Sequence, residues 1–115
     1  MQPRVEDYRF GKVTVDGECH TRDLIILPDR VVAGWWRKEG HALHPEDLTV
    51  VLEAAPETLV VGTGAHGMMQ VTGEARRALE KAGIRLIVAR TGEAVDTYNK
   101  LREKVRVAAA LHLTC

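Results

Sequence analysis

Nine residues, Leu59-Val60-Val61-Gly62-Thr63-Gly64-Ala65-His66-Gly67, restrict the fold more than any other stretch. A short, uninterrupted apolar run marks a strand buried on both faces, the kind found inside parallel sheets covered by helices. Glycine at its end permits a sharp exit that other residues make with strain. The chain after this turn alternates helical and extended patterns, as an α/β fold requires.

The periodicity there predicts a helix over 72–82. Thr72 can cap its first amides, Glu74 suits its first turn, and Ala75, Ala78, Leu79 and Ala82 form an apolar stripe. Gly83 is the expected terminator. Ile84 to Ala89 reads as the next strand. Thr91 then reads as the cap of a second helix, with Ala94, Tyr98, Leu101 and Val105 on one face. The Val-Arg-Val opening of residues 105–113 predicts a closing strand.

Before the apolar run, residues 1–8 read as a loose lead-in. Phe10 to Val15 alternates as a strand, and Asp16-Gly17 is a strong hairpin signal. Leu24-Ile25-Ile26-Leu27 and Val31 to Trp36 continue the extended character, so a meander of three or four strands is expected. Within such a strand Trp35 and Trp36 face opposite ways, one toward the core and one toward an edge or a partner. Pro45, Glu46 and Asp47 open a helix whose buried face is Leu48, Val51, Leu52 and Ala55, and Pro56 ends it. The sum is a compact mixed sheet flanked by about three helices with an N-terminal β-hairpin or meander, expected to form one domain over residues 1–115.

Sixteen basic residues balance sixteen acidic ones, which removes the field that would draw nucleic acid. The same neutrality favours self-association. No apolar stretch reaches the roughly 20 residues that span a bilayer. Two cysteines, Cys19 and Cys115, make no C-x-x-C and no disulfide framework. The opening Met-Gln-Pro-Arg-Val-Glu-Asp has no apolar signal region, so a cytoplasmic setting is expected.

Gly62, Gly64 and Gly67 carry the G-x-G-x-x-G spacing of a dinucleotide loop. The predicted helix opens five residues beyond Gly67, whereas in that fingerprint the loop leads straight into the helix. A tight turn at the sheet edge is therefore the first reading. Gly62, Thr63, Gly64, His66 and Gly67 remain the candidate anion or ligand site, because backbone amides in such a turn can hold an anion. Trp35, Trp36, His41, Tyr98, His112 and Cys115 are candidate interaction or pocket-lining residues. His41 and His44 lack further ligands for a metal. His112 and Cys115 lack the third group and oxyanion donors of a thiol nucleophile site. No catalytic set, metal or cofactor is assigned.

Several of these segments together resemble the family called domain of unknown function 498. They are Gly11 with Asp16-Gly17, Trp35 with Gly40-His41, Pro45 to Leu48, Leu59 to Gly64, Gly83-Ile84, Glu93 to Asn99 and Leu111 to Cys115. The family includes the mitochondrial complex I assembly factor 3 and the adipogenesis-associated domain-containing protein. The resemblance covers nearly the whole chain. It implies a compact α/β fold and no established reaction, and it points to a binding or assembly-type domain with protein partners. The alternative is a small-molecule, nucleotide or anion-binding protein using the Gly62–Gly67 turn.

Overall fold

The computed structural model describes residues 1–115. Ten strands, three α-helices and a 3-10 turn are arranged as an α/β fold with a mixed sheet at its centre. The first strands are β1 (Val5–Arg9), β2 (Lys12–Val15) and β3 (Glu18–His20), followed by β4 (Leu24–Ile26), β5 (Val31–Val32) and β6 (Ala42–Leu43). A 3-10 turn (Pro45–Leu48) leads into α1 (Thr49–Ala54). Then come β7 (Thr58–Thr63), β8 (Gln70–Val71), α2 (Gly73–Lys81), β9 (Arg85–Ala89), α3 (Thr91–Leu101) and β10 (Val107–His112).

The five-stranded sheet has the order β5-β4-β10-β7-β9. Strands β10, β7 and β9 are parallel, and β4 joins β10 antiparallel. Every residue of β7 and β10 is buried, Thr58, Thr63 and His112 included, as expected for strands covered on both faces. One core layer sets Leu59, Val61, Ala108 and Ala110 against α1 and α2. The other sets Val60, Ala109 and Leu111 against α3 and the small N-terminal sheet. The alanines of β10 leave room for both layers to approach the central strand.

Helix α2 begins where Thr72 predicts, its hydroxyl accepting the Ala75 amide at 3.1 Å. Gly83 follows with φ +75°. The Asp16-Gly17 turn takes positive φ at both residues, as its hairpin demands.

Other expectations are corrected. Residues 5–8 are not a loose lead-in: they form most of β1, which pairs with β2 and is held at Val5 by the Asn99 side chain. The expected meander is divided. Strands β1, β2 and β3 make a separate three-stranded antiparallel sheet, while β4 and β5 enter the main sheet. Trp35 and Trp36 lie in a loop after β5, not in a strand. Trp35 is buried, and its indole N–H donates to the Asp47 carbonyl, which anchors that loop to the 3-10 turn. Trp36 projects outward at 79% exposure. The segment after Pro45 starts as a 3-10 turn, and its helix ends at Ala55 with φ +49°. Thr91 does not cap α3; its side chain turns into the core.

Candidate functional site

The C-terminal ends of β10 and β7 collect most of the residues singled out from sequence. The turn after β7 is sewn to the segment after β10. The Gly64 amide donates to the Thr91 hydroxyl at 2.8 Å, and that hydroxyl donates to the His112 carbonyl at 2.6 Å. The Ala65 amide donates to the Thr114 carbonyl and the Met68 amide to the Cys115 carbonyl. The Gly67 amide closes back on the Gly64 carbonyl, and the Met69 amide on that of Thr63.

Gly64 has φ +106°, and a Cβ there would fall 2.3 Å from the Cys115 carbonyl carbon and 2.9 Å from His112 Cδ2. Glycine is thus required twice, by conformation and by the close passage of the chain. At Gly62 a Cβ would meet Thr91 Oγ1 at 2.9 Å and Leu111 Cδ2 at 3.1 Å. The amides of Gly64 and Gly67 in the predicted anion turn are therefore engaged by the chain itself. Thr63 donates its hydroxyl to the Ala89 carbonyl. His66 is exposed, and Arg90 lies beside Gly67, its Nε 3.5 Å from where a Cβ would sit.

A buried polar cluster lies one strand away. Asp23, just before β4, stands opposite the end of β10. Its Oδ2 is 2.7 Å from both His112 Nδ1 and Arg37 Nη1, and its Oδ1 accepts the Leu113 amide at 2.8 Å. A carboxylate can only accept, so His112 Nδ1 carries a proton toward it. Arg37 Nη2 lies 3.1 Å from the same ring nitrogen and donates to the Gly40 carbonyl at 2.9 Å. Its guanidinium also lies 4.8 Å from the Trp35 ring centroid.

Burial by itself would raise the Asp23 pKa. The hydrogen bonds from His112, the Leu113 amide and Arg37 outweigh it and hold the carboxyl below its ordinary value. His112 Nε2 and Arg37 Nε are buried without a hydrogen-bond partner. The cluster ties together the approach to β4, the loop after β5 and the exit of β10.

His41 is exposed and its ring meets His112 edge-on, with centroids 5.8 Å apart. The structure therefore brings His41, His112, Cys115 and the glycine turn to one end of the sheet, with Trp35 behind Arg37. Tyr98 is elsewhere: it is buried in the α3 layer and donates its hydroxyl to the Pro3 carbonyl at 2.6 Å. Asp23 and Arg37 were missing from the sequence reading. Neither lies in a periodic pattern or a motif, and their only sequence signal is charge next to apolar strands.

The same end carries exposed apolar side chains. Phe10, at the β1–β2 turn, is 58% exposed and lies 6.0 Å from the His66 ring, centroid to centroid. The Gly11 amide donates to the Leu113 carbonyl, which fixes this turn over the end of β10. Met68 is 53% exposed, and Trp36 extends from the loop that Arg37 anchors.

No group of three or more His, Cys, Asp or Glu side chains is placed to hold a metal ion. No helix is long and apolar enough to cross a membrane. The concavity of about 690 Å³ near Gln2, Pro56 and Arg106 is at the other end of the parallel strands.

Residues 5–112 match the family described as "Protein of unknown function (DUF498/DUF598)". Among solved structures, a conserved hypothetical protein from Pyrococcus horikoshii is similar at 31% identity and a TM-score of 0.84, over 97% of this chain and 99% of that one. A Rhodopseudomonas palustris protein is 34% identical with a TM-score of 0.73, over 93% and 80% of the two chains. A structure described as an outer membrane protein from Bartonella henselae is 27% identical with a TM-score of 0.85, over 99% and 97%.

Proposed function

The chain belongs to the DUF498/DUF598 family, and from that premise we propose that it works as a non-enzymatic binding or assembly-type domain. Its protein-docking surface would be the end of the sheet where β7 and β10 finish. The observation that carries this reading is Trp36, a large indole held outward at 79% exposure by neighbours that are themselves pinned. Trp35 is tied to Asp47 and Arg37 to Asp23, so Trp36 is presented on a fixed loop. Exposed tryptophan on a rigid support is what interface hot spots are made of. Phe10 and Met68 add apolar area at the same end. Exposed, unpaired Cys19 and Cys115 suit a reducing, cytoplasmic setting.

The test is capture with crosslinking from native extract. Wild type should retain a reproducible protein partner that Trp36→Ala loses while its thermal midpoint stays unchanged. Robust turnover of a small substrate together with no reproducible partner would overturn the reading.

Two observations favour the second reading, an anion or nucleotide ligand at the Gly62–Gly67 turn. Arg90 places a cation beside Gly67, and His66 is open to solvent. Calorimetric titration with phosphate, ATP, NAD and NADP checks it, and an absence of heat at millimolar ligand would remove it.

A further inference from the structure

We propose that β9 is a self-complementary edge through which two copies of this chain pair antiparallel, joining their sheets. This surface is separate from the docking end described above.

Strand β9 closes one side of the five-stranded sheet. The Arg85 amide donates to the Glu57 carbonyl and the Ala89 carbonyl accepts from Thr63, so residues 85, 87 and 89 turn their backbone groups toward β7. By alternation, the N–H and C=O groups of Leu86 and Val88 point away from the sheet. The other margins are blunted. Strand β5 has two residues and β3 three. Strand β1 has its Val5 N–H and C=O taken by Asn99. The run Leu86-Ile87-Val88-Ala89 has no proline and no charge, the usual protections of an open edge.

The occupant that fits is a second β9. A two-fold axis at Ile87 sets Leu86 opposite Val88 of the other copy, and those two residues are the ones with free backbone groups. Each pair exchanges two hydrogen bonds, giving an isologous contact. Directly paired residues share a face, so the exposed Val88 side chain of one copy lands beside Leu86 of the other. There the surface is hollow: a concavity of about 310 Å³ is lined by Arg76, Glu80, Ile84 and Leu86. The same register puts Arg85 opposite Ala89, and the two Arg85 side chains stand about 14 Å apart along the strands, beyond strong repulsion in physiological salt. A formal net charge of zero leaves no overall repulsion between copies.

Sedimentation equilibrium over a concentration series, combined with hydrogen exchange, tests this. Wild type should approach twice the 12.7 kDa of one chain as concentration rises. The Leu86 and Val88 amides should then slow at least tenfold, while Arg85, Ile87 and Ala89 stay protected at every concentration. Val88→Pro removes only an outward N–H, and Val88→Lys sets a charge over the hollow. Each should leave the chain folded and monomeric. A wild-type chain that stays monomeric at millimolar concentration overturns the proposal. So does a dimer whose Leu86 and Val88 amides exchange freely, or one that survives in a folded variant.

Discussion

Asp23 accepts three hydrogen bonds at the point where the N-terminal half of the chain meets the end of β10. Asp23→Asn keeps the shape but leaves the Arg37 charge, buried at 9% exposure, without its counter-ion. Breaking one side of a buried pair should lower unfolding free energy by about 3 kcal/mol, read from urea denaturation at neutral pH. Because its folded pKa is depressed, the Asp23 contribution is complete above the ordinary 3.8 and is lost as pH falls through the lower folded value. Wild type should therefore weaken across that window while Asp23→Asn changes less, and the two denaturation midpoints should converge. Thr91 gives a second prediction. Thr91→Val leaves the buried Gly64 amide without its acceptor and removes a donor from the His112 carbonyl, a loss of about 2 kcal/mol on the same assay. Sequence places Thr91 at a helix start, where a hydroxyl is ordinarily a cap. Only the return of β10 beside β7 gives that hydroxyl a tertiary partner, which is why its role cannot be read locally. Gly64 is different: sequence marks it as a turn glycine, and the close passage of Cys115 shows why no side chain fits.

Elements whose signals are local were legible. Helix α2 is the clearest case, with cap, stripe and terminator all within one turn of their residues. Thr72→Ala should lower stability by about 1 kcal/mol, since the Ala75 amide loses its side-chain acceptor. The hydroxyl also donates to the Leu43 carbonyl at 2.8 Å, so the loss should be accompanied by faster hydrogen exchange where β6 meets β8. Strands β6 and β8 were not foreseen. Two residues carry no alternation, and the end of this pair is held by Thr72, whose amide and hydroxyl both donate to the Leu43 carbonyl. Strand β1 was missed for a related reason. Of its five residues only Val5 is fully buried, and a register shift between Val5 and Asp7 breaks the period-two pattern. The place of Tyr98 on the apolar face of its helix was legible, whereas the acceptor of its hydroxyl, the Pro3 carbonyl, lies far away in sequence.

Across the whole molecule, the last strand in sequence is the middle strand in space. Strand β10 pairs with β4 on one side and β7 on the other, and its alternating residues belong to both core layers. Contact between segments so distant cannot be derived from periodicity, although the apolar run Leu59 to Val61 foretells that β7 is covered on two faces. A chain ending at Arg106 would keep every signal for α1, α2 and α3 yet lose the strand on which those helices and both sheets meet. Leu24, Ile25 and Ile26 would have no partner on one side, and β7 would become an open edge of six residues. Such an edge templates aggregation. The truncated chain should therefore show no cooperative unfolding transition, poorly dispersed amide resonances and strong binding of a hydrophobic dye. Adding residues 107–115 as a separate peptide should restore dispersion, because the groove between β4 and β7 accepts one strand in one register. A truncated chain that unfolds cooperatively at the wild-type midpoint would show instead that the helices and β7 form a self-sufficient core.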